Sequence, residues 1–228
     1  MIDFTKLPLI IQKRTDTKNS PKHVILNLFP IKTTDEQKKE DFKKVINLLD
    51  QIVDLQRERN VPILTVSLGK IEDIYDTRAL ADYCEEILLK KANEHKINVT
   101  IFGRWYDVKG ELVTALKKIN NETNDFDHFF LNICINYDGQ REIADACRVI
   151  IRKILMEKSD IDAINPEMIK ENIYSSYLMP PDMIIEPLSM FRGTFLWDSV
   201  GSKIYKLNKP VLELTKSDVN KAFDWYTG

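Results

Sequence analysis

Leu131-Asn132-Ile133-Cys134-Ile135-Asn136-Tyr137-Asp138-Gly139-Gln140-Arg141-Glu142-Ile143 reads as a strand, a tight turn and the start of a helix. Its first half is a compact apolar run, the composition of a strand covered on both faces. Asn136 to Gly139 supply turn chemistry. From residue 141 to 156 apolar residues recur at helical spacing. Strand, turn and long helix in that order are half of a parallel α/β unit.

The alternation extends in both directions. Residues 23–29 form an apolar run closed by Pro30. Phe42, Val45, Ile46, Leu49, Ile52, Val53 and Gln56 share one side of a helix over 35–59, with Asp35 and Glu36 at the start the macrodipole favours. Residues 61–68 are a second strand ended by Gly69, and 75–95 a second helix. Residues 98–102 and 129–136 are further strands, with a helix over 111–119 between them. A short strand at 182–185 and a terminal helix at 219–226 complete the pattern. The prediction is an α/β fold: a single domain with a mostly parallel central sheet flanked by helices. Residues 1–20 read as an N-terminal arm and 21–228 as the domain, without internal repeat or linker.

Composition narrows the classes. Apolar residues make up 43% and charged residues 30% of the 228, a globular balance. A net charge of -2 gives no global attraction to nucleic acid. Cys84, Cys134 and Cys147 lack metal-like spacing, and the last two, inside apolar stretches, read as buried free thiols. With no signal-peptide pattern and no apolar run of spanning length, a cytoplasmic protein is expected, contact with a membrane surface being left open.

Four segments in order resemble the cis-prenyltransferase (undecaprenyl diphosphate synthase-like) family. The opening stretch is similar to the family's L-N-I-A-x-N-Y-G-G-R-x-E-I. Val99-Thr100-Ile101-Phe102-Gly103, followed by Glu111-Leu112, resembles V-R-F-I-G-D and its helix. Phe195-Leu196-Trp197-Asp198-Ser199, with Tyr205 beyond, resembles F-L-L-W-Q-S-A-Y-x-E-L-Y-F, and Pro21-Lys22-His23-Val24 matches P-x-H-V. An Asn-Tyr at a strand end is by itself more often a turn, and a Trp in an apolar run more often core. The order and separations of the segments carry the resemblance.

Family members condense isopentenyl diphosphate onto an allylic diphosphate, chemistry that needs Mg²⁺ and cationic side chains around two diphosphates. The resemblance implies that several of those positions are lost here. Phe29 stands where the family has its catalytic Asp, and Pro30 and Ile31-Lys32-Thr33-Thr34 replace its glycine-rich cradle. Phe cannot ligate Mg²⁺, which takes hard oxygen ligands. Glu186 stands at the first diphosphate Arg, and Lys203, counted without gaps from Trp197, at the metal-binding Glu. Gln140 replaces the Arg of G-G-R, and the segment from Ser67 to Glu72 replaces F-S-x-E-N-W. Arg192, Thr194 and Asn136 remain as a residual diphosphate site, and Tyr137, Gly139, Glu142 and Trp197 as dimer-interface or structural motif residues.

The expectation is therefore a non-catalytic or auxiliary subunit of a heteromeric cis-prenyltransferase, similar to the Nogo-B receptor-type subunits. It has no metal site or cofactor of its own, Mg²⁺ belonging to the catalytic partner. That partner is a catalytic cis-prenyltransferase paralogue in a heterodimer or heterotetramer, with a homodimer open to the chain alone. Allylic or polyprenyl diphosphate is the ligand class, and nucleic acid is excluded. The C-terminal Gly228 resembles the end of such subunits' Arg-x-Gly tail, without its Arg. One alternative is an active enzyme recruiting His23, Asp107, Asp127, Arg104, Arg192 and Asn136 into a remodelled site. The other is a scaffold holding polyprenyl lipid in an apolar tunnel under the helices that start near Phe42 and Tyr75.

Overall fold

Apolar runs bounded by turn residues form the strands of the computed structural model, which describes residues 20–29, 37–70, 74, 76–188 and 190–226. The strands are β1 (His23–Asn27), β2 (Ile63–Ser67), β3 (Ile97–Phe102), β4 (Phe129–Cys134), β5 (Met183–Glu186) and β6 (Lys203–Lys206). They form one six-stranded sheet in the order β3-β4-β2-β1-β5-β6. Every pairing is parallel, so the α/β fold with a parallel central sheet flanked by helices is as expected. The helices are α1 (Lys38–Glu58), α2 (Thr77–Asp82), α3 (Leu89–His95), α4 (Glu111–Thr123), α5 (Gly139–Glu157), α6 (Pro166–Asn172) and α7 (Lys216–Trp225).

β1 lies between β2, reached next along the chain, and β5, reached only after β3 and β4. A sheet whose order reverses in this way opens a crevice beyond the carboxyl ends of its strands. That edge carries Asn27, Ser67, Cys134 and Glu186.

Several details differ from the sequence expectation. The helix predicted over 75–95 is broken by a π-helical segment, Tyr83–Leu88, and Tyr75 itself lies outside the described residues. α6 and β6 have no apolar run to announce them. α6 is set by Asn165, whose side chain accepts from Met168 N at 2.8 Å, with Pro166 at its first position. β6 is an edge strand with exposed lysines, the usual guard against further pairing. Cys84 and Cys134 are buried, but Cys147 is exposed, because it lies on the face of α5 turned away from the buried Ala146 and Ile150. The arm through Asn19, the segment 30–36 and Gly228 lie outside the described residues.

Among the described residues the expected lipid tunnel does not open beside Phe42. Phe42, Leu49, Leu80, Cys84 and Leu88 are 0% exposed and belong to one cluster that fills the space between α1, α2 and the sheet. A channel wide enough for an isoprenoid chain would leave its lining exposed. Here the side chains are buried against one another.

The opposite face is more polar. His23 is fully buried, with Nε2 2.8 Å from Thr65 Oγ1 and Nδ1 2.6 Å from Met179 O. Burial lowers its pKa from 6.5 to about 4, outweighing the Met179 carbonyl. The stability this neutral imidazole contributes is complete above pH 6.5 and is lost as pH falls from there to about 4. Near 1.4 kcal/mol per pH unit, the loss amounts to about 3 kcal/mol. Denaturant unfolding of His23→Gln should therefore show a markedly shallower acid limb than the parent across that window.

Candidate functional site

The strand-turn-helix that opens the sequence argument builds one wall of the cleft. After β4, Asn136 takes the left-handed conformation at φ 49°, which Asn tolerates better than most residues. It is pinned twice to the β3 loop: Arg104 N donates to Asn136 O and Asn136 Nδ2 to Arg104 O, both at 3.2 Å. Asp138 caps α5, its Oδ1 accepting from Gln140 N at 3.0 Å and Arg141 N at 3.1 Å. The helix dipole that could hold an anion is thus already met by a carboxylate.

Gly139 allows the far wall to approach. A Cβ there would lie 2.2 Å from Gly193 O and 2.7 Å from Leu196 Cβ. The far wall, Phe191 to Trp197, is tied down from within. Phe195, buried at φ 49°, packs edge-on against Phe102 and Tyr137, and its N–H donates to Tyr137 Oη at 3.1 Å. Tyr137 Oη in turn donates to Glu142, which is buried and also accepts from Ser175 N at 3.3 Å. Burial pushes the Glu142 carboxyl up, against the hydrogen bonds that favour its charged form. Tyr137, Gly139 and Glu142 thus make close contacts within the chain. Trp197 is half-buried.

Between these walls lies a cleft of about 430 Å³ lined by Phe29, Lys70, Tyr137, Gln140, Arg192 and Leu196, among others. Beside it Arg141 and Asn136 line a second recess. Beneath Phe29 and Arg192, Glu186 at the end of β5 is 1% exposed. Its Oε1 accepts from Asn27 Nδ2 at 2.7 Å and Arg192 N at 3.0 Å, while Oε2 is buried without a hydrogen-bond partner among the described residues. Burial raises the Glu186 pKa to about 6, ahead of the lowering by its two donors. Asn27 Oδ1 accepts from Thr194 Oγ1 at 2.6 Å. The Arg192 guanidinium lies 5.4 Å from the Phe29 ring centroid, in cation–π range.

The residual diphosphate site is therefore only partly assembled. Arg192 stands at the cleft, but Thr194 is 1% exposed and donates inward to Asn27, and Asn136 is held to the Arg104 backbone. Lys203 is corrected most: it pairs with Met183 at the amino end of β6, the far edge of the sheet, with its ammonium 5.0 Å from the Tyr226 ring centroid. Counting from Trp197 fixes a position along the chain but not the edge at which it falls. The polar groups of the remodelled-enzyme alternative do not converge either. His23 lies at the amino end of β1, and Asp127 precedes β4 at that same far edge, while Arg104 and Asp107 pair with each other at 2.8 Å.

Asn27 and Asp198 carry weight the sequence reading did not give them. Asn27 is a polar residue ending an apolar run, a signal that was available. Asp198 is buried, accepts from Lys170 Nζ at 2.6 Å and Ser175 Oγ at 2.8 Å, and holds α6 to the cleft wall. Phe29 offers no oxygen, Asp138 serves as a helix cap, and among the described residues no three His, Cys, Asp or Glu side chains converge to hold a metal ion. Nor is any helix among them long and apolar enough to cross a membrane.

The chain belongs to the prenyltransferase family described as putative undecaprenyl diphosphate synthase, whose model matches residues 31–228. A tritrans,polycis-undecaprenyl-diphosphate synthase (geranylgeranyl-diphosphate specific) from Picrophilus torridus is 32% identical over 142 residues, covering 60% of this chain and 54% of that protein. One from Thermoplasma volcanium is 26% identical over 194 residues, covering 79% and 74%. An isoprenyl transferase from Thermus thermophilus is 30% identical over 139 residues, covering 58% and 53%. The chain thus spans about half the length of the first and last of these relatives. The structure of a lavandulyl diphosphate synthase from Lavandula x intermedia superposes with a TM-score of 0.80 at 16% identity, covering 92% of this chain and 98% of that one, a likeness of fold.

Proposed function

We propose that this chain is a non-catalytic, auxiliary subunit of a heteromeric cis-prenyltransferase that makes long-chain polyprenyl diphosphate for a glycosyl-carrier lipid. The observation that carries the reading is the pair Phe29 and Glu186 at the carboxyl edge of the sheet. Phe29 stands where the family's catalytic Asp would be, and Glu186, at the position of a diphosphate-binding Arg, is buried and bonded to Asn27 and Arg192 N. Exchanging an Arg for a Glu at 4 Å from a phosphate charge swings the interaction by about 2 kcal/mol in water and about 8 at an effective dielectric near 20. The upper figure alone removes several powers of ten from transition-state stabilisation. The packing around Phe42 supports the same reading, since a subunit that does not elongate product needs no room for it.

In this arrangement the paralogue supplies Mg²⁺, the catalytic acid and the product tunnel. The present chain supplies the walls held by Tyr137, Gly139 and Glu142 and a rigid body against which the paralogue's site is completed. Co-expression with a full-motif cis-prenyltransferase paralogue from the same genome tests this. The two chains should co-purify, and incorporation of labelled isopentenyl diphosphate into polyprenyl product should require both. Equal synthesis by the paralogue alone would refute the auxiliary role.

A further inference from the structure

We propose that a recess at the amino edge of the sheet, the opposite end from the cleft, is a binding site for a phosphoryl dianion, a property beyond the subunit role and independent of it. The recess holds about 390 Å³ and is lined by Arg57, Glu94, His95, Lys96, His128 and Phe129. That volume is within the range of small-molecule sites. Four of the six side chains carry nitrogen donors, and they come from three places in the chain. Arg57 is in the last turn of α1, His95 and Lys96 end α3, and His128 leads into β4. β4, about 17 Å long, separates the recess from the cleft edge.

Helix-end electrostatics does not by itself account for this charge. Cations gather at the carboxyl ends of helices, where carbonyls lack partners. Here backbone donors already meet such carbonyls: Arg59 N donates to Leu55 O at 2.9 Å, Asn60 N to Arg57 O at 3.0 Å, and Lys96 N to Ala92 O. Lys96 holds the left-handed conformation at φ 55°, a helix-ending position where Gly or Asn is the less strained choice. Strain retained at a cation beside a recess points to a ligand for that cation. Arg57 is loosely held: Nη2 is 3.4 Å from Asp54, which Lys91 approaches to 3.0 Å, and Nε is buried without a hydrogen-bond partner among the described residues. Lys96 Nζ lies 4.6 Å from the Phe126 ring centroid, a contact that engages one side of the ammonium. The carboxylate of the lining, Glu94, is 64% exposed and 3.7 Å from His95 Nε2. A guanidinium, an ammonium and two imidazoles around one recess match the acceptor oxygens of a phosphoryl group. The His128 and Phe129 rings, edge to face at 4.8 Å, offer an apolar wall to an organic group attached to it.

Titration of the full, isotope-labelled chain with inorganic phosphate and with phenyl phosphate, followed by amide NMR, tests this. Saturable shifts are expected at Lys96, His128 and Phe129 with both probes. Tighter binding of phenyl phosphate would mark an organic phosphate as the source of the dianion, and equal binding the free ion. Arg57→Gln with Lys96→Gln should weaken binding about thirtyfold, the loss of two charge contacts at aqueous dielectric. Lys96→Gly should weaken it about fivefold while keeping or raising the melting temperature, because charge and backbone strain leave together. A melting temperature that falls in Lys96→Gly with affinity unchanged would make Lys96 a helix-end residue and overturn the proposal. So would no saturable response at millimolar phosphate, shifts confined to Arg192 and Gln140 in the cleft, or parental affinity in both variants.

Discussion

Gly139→Ala is expected to lower the melting temperature by about 10 °C and to loosen the cleft. The added Cβ would meet a backbone oxygen, Gly193 O, at 2.2 Å and Leu196 Cβ at 2.7 Å. Neither is the free end of a flexible side chain, so the wall from Phe191 to Trp197 must move. That shift breaks the bond from Phe195 N to Tyr137 Oη and disturbs the buried Glu142 behind it. Overpacking a filled site costs about 1–3 kcal/mol and more where backbone blocks relaxation. For a domain of this size each kcal/mol corresponds to about 2–4 °C. Differential scanning calorimetry reads the effect; an unchanged melting temperature would mean that the walls are not closely apposed at Gly139.

Glu186→Arg is expected to raise the affinity for inorganic diphosphate about thirtyfold or more. The exchange replaces repulsion by attraction, and even the aqueous figure of about 2 kcal/mol amounts to that ratio. It also removes a carboxyl whose Oε2 is buried without a hydrogen bond. A bulkier side chain could disturb Asn27, so Glu186→Gln serves beside it. That change removes only the charge and should raise affinity about fivefold, the equivalent of about 1 kcal/mol. Calorimetric titration of both variants, with melting curves as the control of fold, reads the result. Folded variants with the parent's affinity would show that the charge at Glu186 does not govern the cleft.

Five of the six strands were legible because apolar runs of strand length between turn residues leave few alternatives, and the segment from Leu131 to Ile143 reads directly as the strand, turn and helix found there. What stayed hidden lies across the sheet. Thr194 and Asn27 are 167 residues apart and meet only because β5 pairs with β1. No local pattern could show that the Thr194 hydroxyl is taken up internally. Lys203 failed for a related reason, as a motif gives sequence order without saying at which sheet edge a residue falls. α5 misled in another way. Ile150, Ile151, Ile154 and Leu155 surround the helix with apolar side chains, so periodicity alone could not show that Cys147 faces outward.

The central claim is that this chain has the prenyltransferase fold without a working diphosphate and metal site. The most direct test is turnover by the purified chain, expressed in a host whose own synthase has been removed from the preparation, with Mg²⁺, labelled isopentenyl diphosphate and an allylic primer. No label should enter extractable polyprenyl product above the level without protein. Incorporation at an ordinary enzymatic rate by this chain alone would contradict the account.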